Sequence, residues 1–180
     1  MKTIISILIV SLLFFGCTKD GNGYRYMKVP AGKNHVRVTD APPKIGFNKK
    51  SLQFSFRVTS NWLILDNGCV NKVGGLSQGD HKVSSCRLGV KAVGDELVFY
   101  MYTYVDGVRD YFPIDTCSLG TYYVDIGLVG DEWWMNFNGG LYSSPASQKK
   151  GLIPNYICRP FVGGDDDNVL DEDWIIWIKY

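Results

Sequence analysis

Apolar and polar residues alternate with a period of two along most of this sequence, and this pattern restricts the chain to a fold built from β-strands. Between Lys50 and Thr59 every second residue is apolar, from Leu52 to Val58. A segment of this kind buries one face and exposes the other, as a strand at the surface of a sheet does. Since no stretch repeats apolar residues at helical spacing, we predict an almost all-β chain.

Three consecutive strands are predicted in the middle of the chain. Ser84 to Lys91 alternates in the same way, and Gly94-Asp95 then supplies a turn into Glu96 to Val105. The pair Asp106-Gly107 is a two-residue hairpin signal that leads into Val108 to Phe112. We therefore expect these three strands to form a meander.

Further strands are predicted towards the C-terminus. Thr121 to Leu128 and Glu132 to Phe137 are joined by a glycine turn, and Trp174 to Ile178 is apolar on both faces, as in a central strand covered on both sides. Many short strands predict a two-sheet antiparallel β-sandwich of the jelly-roll type. The inner faces are predicted to carry Leu52, Phe54, Phe56, Leu88, Val90, Leu97, Phe99 and Met101.

The first residues have the parts of an export signal. After Lys2, an apolar run from Ile4 ends at Phe14-Phe15-Gly16-Cys17. It is shorter than the roughly 20 apolar residues that span a bilayer, so it is interpreted as a cleaved signal peptide. Its end resembles the lipobox of bacterial lipoproteins, which implies that Cys17 is acylated and becomes the mature N-terminus.

This interpretation divides the chain into a signal peptide at 1–16, an acylated cysteine with a flexible tether at 17–23, and a single β-sandwich domain at 24–180. Lys19 and Asp20, just behind the cysteine, resemble the signal that exports Bacteroidetes lipoproteins to the cell surface. The resemblance implies a lipid-anchored protein exposed on the outer membrane.

Charge and composition exclude some partners. Without residues 1–16 the chain has 18 basic and 18 acidic residues, so no nucleic-acid partner is predicted. The acidic segment at 165–173 gathers oxygen ligands, among them Asp165 and Asp167, that suit calcium; a solvated acidic loop is the alternative. No other cofactor is predicted.

Four cysteines follow Cys17: Cys69, Cys86, Cys117 and Cys158. In an oxidising compartment an even number of cysteines permits two disulfides, and the pairing stays open. We expect these cysteines to be at least partly oxidised.

A second resemblance covers roughly residues 50 to 180. It rests on the order and spacing of Asn71 to Ser77, His81 to Gly89, Tyr104 to Arg109 and Arg159 to Gly164. These stretches resemble uncharacterised surface lipoproteins of Bacteroidetes with a concanavalin A-like jelly-roll domain. The same architecture serves glycan-binding modules and alginate-type lyases, so the resemblance implies a carbohydrate ligand.

The catalytic pattern of such lyases is incomplete here. They carry an R-x-E-x-R strand and a Q-I-H strand, whereas Ser85 to Gly89 retains only Arg87 and no Q-x-H occurs. His81, with Arg87 and a tyrosine, has the residue types of a β-elimination site; a solvated loop histidine is the alternative. No catalytic residue is predicted.

A row of tyrosines is the main candidate binding surface. Opposite the predicted core face of the strand from Glu96 lie Tyr100, which we expect to be buried, and Tyr102 and Tyr104, which we expect to be exposed for stacking against sugars. The alternative is that all three pack under the second sheet or a loop. The predicted glycan site consists of Arg87, Tyr102, Tyr104, Tyr123 and Trp134.

These patterns favour a surface-anchored, non-catalytic glycan-binding module. The alternatives are a polysaccharide lyase-like enzyme and a protein-interaction or immunity-type lipoprotein.

Overall fold

A computed structural model describes residues 19–36, 45–46, 50–147, 155–163 and 168–180. Within these ranges the chain forms one short 3₁₀ helix, Ser60–Leu65, and otherwise strands and their connections. The strands are β1 (Arg25–Val29), β2 (Ile45–Gly46), β3 (Ser51–Val58), β4 (Asn71–Gln78), β5 (Ser84–Val93), β6 (Glu96–Val105), β7 (Val108–Cys117), β8 (Gly120–Val129), β9 (Glu132–Phe137), β10 (Gly140–Pro145), β11 (Asn155–Cys158) and β12 (Trp174–Lys179).

The strands form two six-stranded antiparallel sheets. Sheet A has the order β1-β12-β3-β8-β9-β10, and sheet B has the order β2-β11-β4-β5-β6-β7. The predicted meander is confirmed as β5, β6 and β7, which pair in sequence. The predicted fold class, an all-β two-sheet antiparallel sandwich, is confirmed.

The Asp106-Gly107 hairpin forms as its sequence predicts. Both residues have a positive φ, 51° for Asp106 and 85° for Gly107, which a two-residue turn of the I′ type requires. β7 continues past the predicted end at Phe112 to Cys117, because a β-bulge between Phe99 and Tyr100 lets the pairing go on.

The core lies between the inner faces of the two sheets, and all eight predicted core residues are buried there. Aromatic rings join the layers: Phe56 of sheet A lies 5.8 Å from Phe99 of sheet B, and Trp62 of the 3₁₀ helix stacks on Phe56 at 5.3 Å. Burial of rings of this size supplies a large share of the hydrophobic stabilisation of the fold.

The last strand differs in part from its prediction. β12 lies inside sheet A between β1 and β3, and Trp174, Ile176 and Ile178 are fully buried. Its other face, with Ile175 and Trp177, is half-buried, and Trp177 meets the edge of the Tyr26 ring at 5.3 Å. The described residues leave this outer face only half-buried, so the expectation of full cover on both sides is not met there.

Residues 19–23 are not a flexible tether. Lys19 forms a β-bridge with Arg25, and the Asp20 carboxylate accepts a hydrogen bond from Arg57 at 2.6 Å. It also accepts bonds from the backbone amides of Asn22 and Tyr24, each at 2.9 Å. Although burial opposes ionisation, these hydrogen bonds hold the pKa of Asp20 below its ordinary value. The expected tether is therefore an ordered turn at these positions.

Cys17, Asp165 and Asp167 lie outside the residues that the structure describes. Within the described ranges, no helix is long and apolar enough to cross a membrane. The same ranges bring no three His, Cys, Asp or Glu side chains together as metal ligands.

The four cysteines of the domain are free thiols, so the expected disulfides are absent. Cys86 points into the core, whereas Cys158 lies in register with Gly75 and Arg87, whose row is on the opposite face of sheet B. Burial raises the pKa of Cys86 far above its ordinary value, and burial with the nearby Asp115 raises that of Cys117 to about 12. Both thiols are therefore unreactive in the folded state.

Unfolding the unreduced protein in the presence of an alkylating reagent is expected to modify Cys69, Cys86, Cys117 and Cys158 completely. The reason is that all four are free thiols and that three of them, Cys86, Cys117 and Cys158, are buried away from oxidants. Intact mass spectrometry counts the alkyl groups, and a reduced sample serves as the control. A lower count without reductant would show that a disulfide forms.

Candidate functional site

The outer face of sheet B, which points away from the core, carries a row of paired residues. The strand register aligns Gly75, Arg87, Tyr102 and Tyr111 across β4 to β7. The register thus places the candidate arginine beside the tyrosine cluster, as the sequence predicts.

The tyrosines themselves do not form an open platform. Tyr102 is 2% exposed and Tyr104 is 8% exposed, whereas Tyr100 is only half-buried. The prediction of exposed Tyr102 and Tyr104 beside a buried Tyr100 is therefore wrong. Tyr102 is covered by residues on its own face, since the Tyr111 ring stacks on it at 5.7 Å and the Lys72 ammonium lies 4.5 Å from its centre.

Gly89 explains how a further residue, Val70, comes to cover the tyrosines. A Cβ atom at Gly89 would lie 2.5 Å from the Val70 side chain, so only glycine leaves room for Val70 there. The segment before β4 folds onto the outer face, and Val70 joins a small apolar cluster with Tyr102 and Tyr104. Alternation along a strand does not reveal such a neighbour.

Tyr123 and Trp134 lie elsewhere. They belong to β8 and β9 in sheet A, whereas Arg87, Tyr102 and Tyr104 belong to sheet B. Tyr123 is 67% exposed on the outer face of its sheet. The five residues predicted as one groove therefore do not come together, because the chain passes to the other sheet after β7.

An open cleft of about 390 Å³ lies on the outer face of sheet B beside β4 and β11; we call it the sheet B cleft. It is lined by His35, Ser77, Gly79, Asp80, His81, Arg87, Tyr156, Ile157, Cys158, Arg159, Pro160 and Phe161. The cleft brings Arg87 and His81, which the sequence analysis considered as site residues, together with Tyr156 and Arg159, which it did not consider as site residues.

Arg87 is a buried charged residue of the cleft. It is only 6% exposed, and its Nε atom has no hydrogen-bond partner among the described residues. The ion pairs among the described residues are Lys28–Asp173, Arg57–Asp20 and His81–Asp80, so none involves Arg87. A buried cation is stabilised by an opposite charge, and no described carboxylate pairs with Arg87, so the guanidinium favours the approach of an anion.

Gly75 makes room for the arginine. A Cβ atom built at Gly75 would lie 2.6 Å from Arg87 Cα and 2.8 Å from Arg87 Cγ, closer than real contacts allow. The missing side chain lets the stem of Arg87 lie against β4. Gly75 therefore helps to position Arg87 at the cleft.

His81 stands at the edge of the cleft in the loop before β5. Its Nδ1 lies 4.0 Å from Asp80 Oδ1, and its backbone carbonyl accepts a hydrogen bond from the Ser85 hydroxyl at 2.7 Å. Burial, and next the positive charge of Arg87, hold the pKa of His81 below its ordinary value. The imidazole is therefore neutral at neutral pH and able to accept a proton.

The charges of the cleft favour an anionic ligand. At neutral pH Arg87 and Arg159 are positive, and Asp80 is the single carboxylate among the described residues of the lining. A guanidinium presents a rigid fork of N–H donors that matches the two oxygens of a carboxylate. The cleft can therefore bind a carboxylate-bearing ligand through Arg87.

Solved structures of other proteins have a similar fold. The marine family 7 alginate lyase AlyA1 from Zobellia galactanivorans aligns with a TM-score of 0.56 at 14% identity, over 89% of this chain and 76% of the lyase chain. The family 7 alginate lyase AlgAT5 aligns with a TM-score of 0.51 at 15% identity, over 89% and 77%. No protein-family model and no curated protein sequence match the chain. At such identities the likeness shows the fold, a jelly-roll β-sandwich.

Proposed function

We propose that this protein is a lipid-anchored surface protein that binds an acidic glycan in the sheet B cleft without cleaving it. The observation that carries the proposal is Arg87, which is buried, has no carboxylate partner among the described residues and lines an open cleft. A uronic acid residue supplies the missing counter-charge. Its hydroxyl groups suit the polar and aromatic side chains around the cleft, such as Ser77 and Tyr156.

The fold supports a carbohydrate ligand. Alginate, on which the similar lyases act, is a polymer of uronic acids, and those enzymes share the jelly-roll architecture. Fold alone does not assign function, and the preference of this chain for an acidic glycan comes from the charges of its own cleft.

A lyase is the second candidate, and one observation favours it. Arg87, His81 and Tyr156 line the same cleft, and His81 is neutral, as a general base must be. Against it, the strand around Arg87 lacks the acidic residue of the lyase pattern. Binding without cleavage therefore remains the proposal.

Titration calorimetry of the full chain in detergent with alginate and polygalacturonate tests both candidates, with dextran as the uncharged control. We expect saturable binding to a polyuronate, none to dextran, and no rise in ultraviolet absorbance on prolonged incubation. A rise would mean that β-elimination produces unsaturated sugars and that the protein is a lyase. Absence of binding to both polyuronates would contradict the proposal and favour the protein-interaction alternative.

The membrane anchor has its own test. Replacing Cys17 with serine removes the thiol that the lipobox resemblance marks for acylation, so the Cys17→Ser protein is expected to move from the detergent-rich to the aqueous phase on phase partitioning. Cys69→Ser is the control and should stay with the wild type. A Cys17→Ser protein that still partitions into detergent would rule out the lipid anchor at this position.

A further inference from the structure

The outer face of sheet A has a polar row between two aromatic side chains. The register aligns Gln53, Asp125 and Asn136 across β3, β8 and β9. Tyr123 precedes Asp125 by two residues on β8, and Trp134 precedes Asn136 by two residues on β9. Because β8 and β9 run in opposite directions, the two rings lie on opposite sides of the polar row.

The rings differ in how they are held. Tyr123 is 67% exposed and lines a groove of about 460 Å³, which we call the sheet A groove. Trp134 lies over Gly127, where a Cβ atom would approach the indole ring to 2.4 Å. The glycine thus lets the indole lie flat on the sheet, next to the polar row.

The polar row offers both donors and acceptors. Gln53 Nε2 donates to Asp125 Oδ2 at 2.8 Å, while Asp125 Oδ1 is shielded from water and has no hydrogen-bond partner. The exposed Asn136 accepts a single backbone hydrogen bond, from Gly139. Planar amide and carboxylate groups beside an exposed ring match a sugar, which presents hydroxyl groups at its edge and an apolar face.

The charges of this groove differ from those of the sheet B cleft. Asp125 and Lys179 are its charged lining residues, and they balance. The carboxylate stands in the centre of the polar row, where it repels uronates. An uncharged polysaccharide meets no such repulsion, and its hydroxyl groups can donate to Asp125 Oδ2, which takes part in the exposed hydrogen bond with Gln53.

We propose that the sheet A groove is a second carbohydrate site that binds an uncharged polysaccharide, with Tyr123 as the stacking platform and Gln53, Asp125 and Asn136 as hydrogen-bonding partners. The protein then has two glycan sites on opposite sheets, one for acidic and one for neutral chains. This site does not depend on the proposed function of the sheet B cleft.

Affinity electrophoresis of the full chain in detergent tests this site with gels that contain hydroxyethyl cellulose, laminarin, galactomannan or arabinoxylan. We expect at least one of these neutral polymers to retard the wild type, and Tyr123→Ala to lose about tenfold or more in affinity for it. Val129→Ala, at a 69% exposed position of the same strand outside the groove, is the matched control and should bind as the wild type does. Asn136→Ala is the second variant, and thermal melts check that each variant is folded.

Two results would overturn this proposal: mobility of the wild type unchanged by all four polymers, or retardation of folded Tyr123→Ala and Asn136→Ala equal to that of the wild type. Gels with polygalacturonate and alginate report on the sheet B cleft separately. Arg87→Met is expected to lose retardation in those acidic gels and to keep it in the neutral ones. Failure of one site is therefore distinguishable from failure of the other.

Discussion

Replacing Tyr102 with alanine is expected to lower the free energy of unfolding by about 3 to 5 kcal/mol, as truncation of other large buried aromatic side chains does. Tyr102 is 2% exposed, stacks on Tyr111 and meets the edge of Tyr104 at 5.8 Å. Truncation leaves a cavity beneath these rings and removes the π face under the Lys72 ammonium. Urea unfolding of the variant and the wild type measures the difference.

Tyr123→Ala is the matched control for this prediction. Tyr123 is also a strand tyrosine, but it is 67% exposed on the other sheet, so its truncation should change the free energy of unfolding by less than about 0.5 kcal/mol. Equal losses for the two variants would contradict the assignment of Tyr102 to a packed cluster. A small loss for Tyr102→Ala would mean that its face is open, as the alternation pattern alone suggested.

The sandwich was predictable because apolar residues recur at every second position in the sequences of several strands. β3, β5 and β6 alternate over 8 to 10 residues, and the hairpin between β6 and β7 carries its own turn signal. β4 escaped prediction because its sequence, NKVGGLSQ, interrupts the alternation of apolar and polar residues with two adjacent glycines. β11 is only four residues long, too short for a pattern to emerge.

The site was predictable only in part, for two physical reasons. A strand pattern separates the two faces of a sheet, but it does not say which sheet a strand joins, so Tyr123 and Trp134 were grouped with residues of the other layer. The pattern also does not show which residues cover a face of a sheet. Val70, which lies over Gly89, is an example. Tyr156 lies on β11 and Arg159 follows it, and both reach the cleft because β11 pairs with β4, a strand that is distant in sequence.

Arg87 was predictable as a candidate, but its environment was not. The sequence places it opposite the core face of β5, where an arginine is usually solvated. The structure shows it buried, with a glycine beneath its stem and no carboxylate within ion-pair distance among the described residues. Such an arrangement costs stability, and proteins accept that cost mainly at functional sites.

Replacing Arg87 with methionine is expected to weaken binding of polygalacturonate or alginate by about 30-fold or more. Losing one partner of a buried charge pair costs at least about 2 kcal/mol, and each 1.4 kcal/mol corresponds to about tenfold in affinity. Arg87→Lys keeps the charge but loses the fork of donors, so its affinity should fall between those of Arg87→Met and the wild type. Titration calorimetry of the full chain in detergent measures all three.

The same variant is expected to keep or raise the melting temperature, because methionine fills the space above Gly75 without leaving a buried charge unpaired. Arg57→Met is the control: Arg57 lies on sheet A, is paired with Asp20 and stacks over Tyr24 at 4.0 Å. It should lose up to about 1 kcal/mol of stability and none of its affinity for polyuronate. An Arg87→Met protein that melts as low as Tyr102→Ala, or that binds polyuronate as the wild type does, would show that Arg87 supports the fold and does not anchor a ligand.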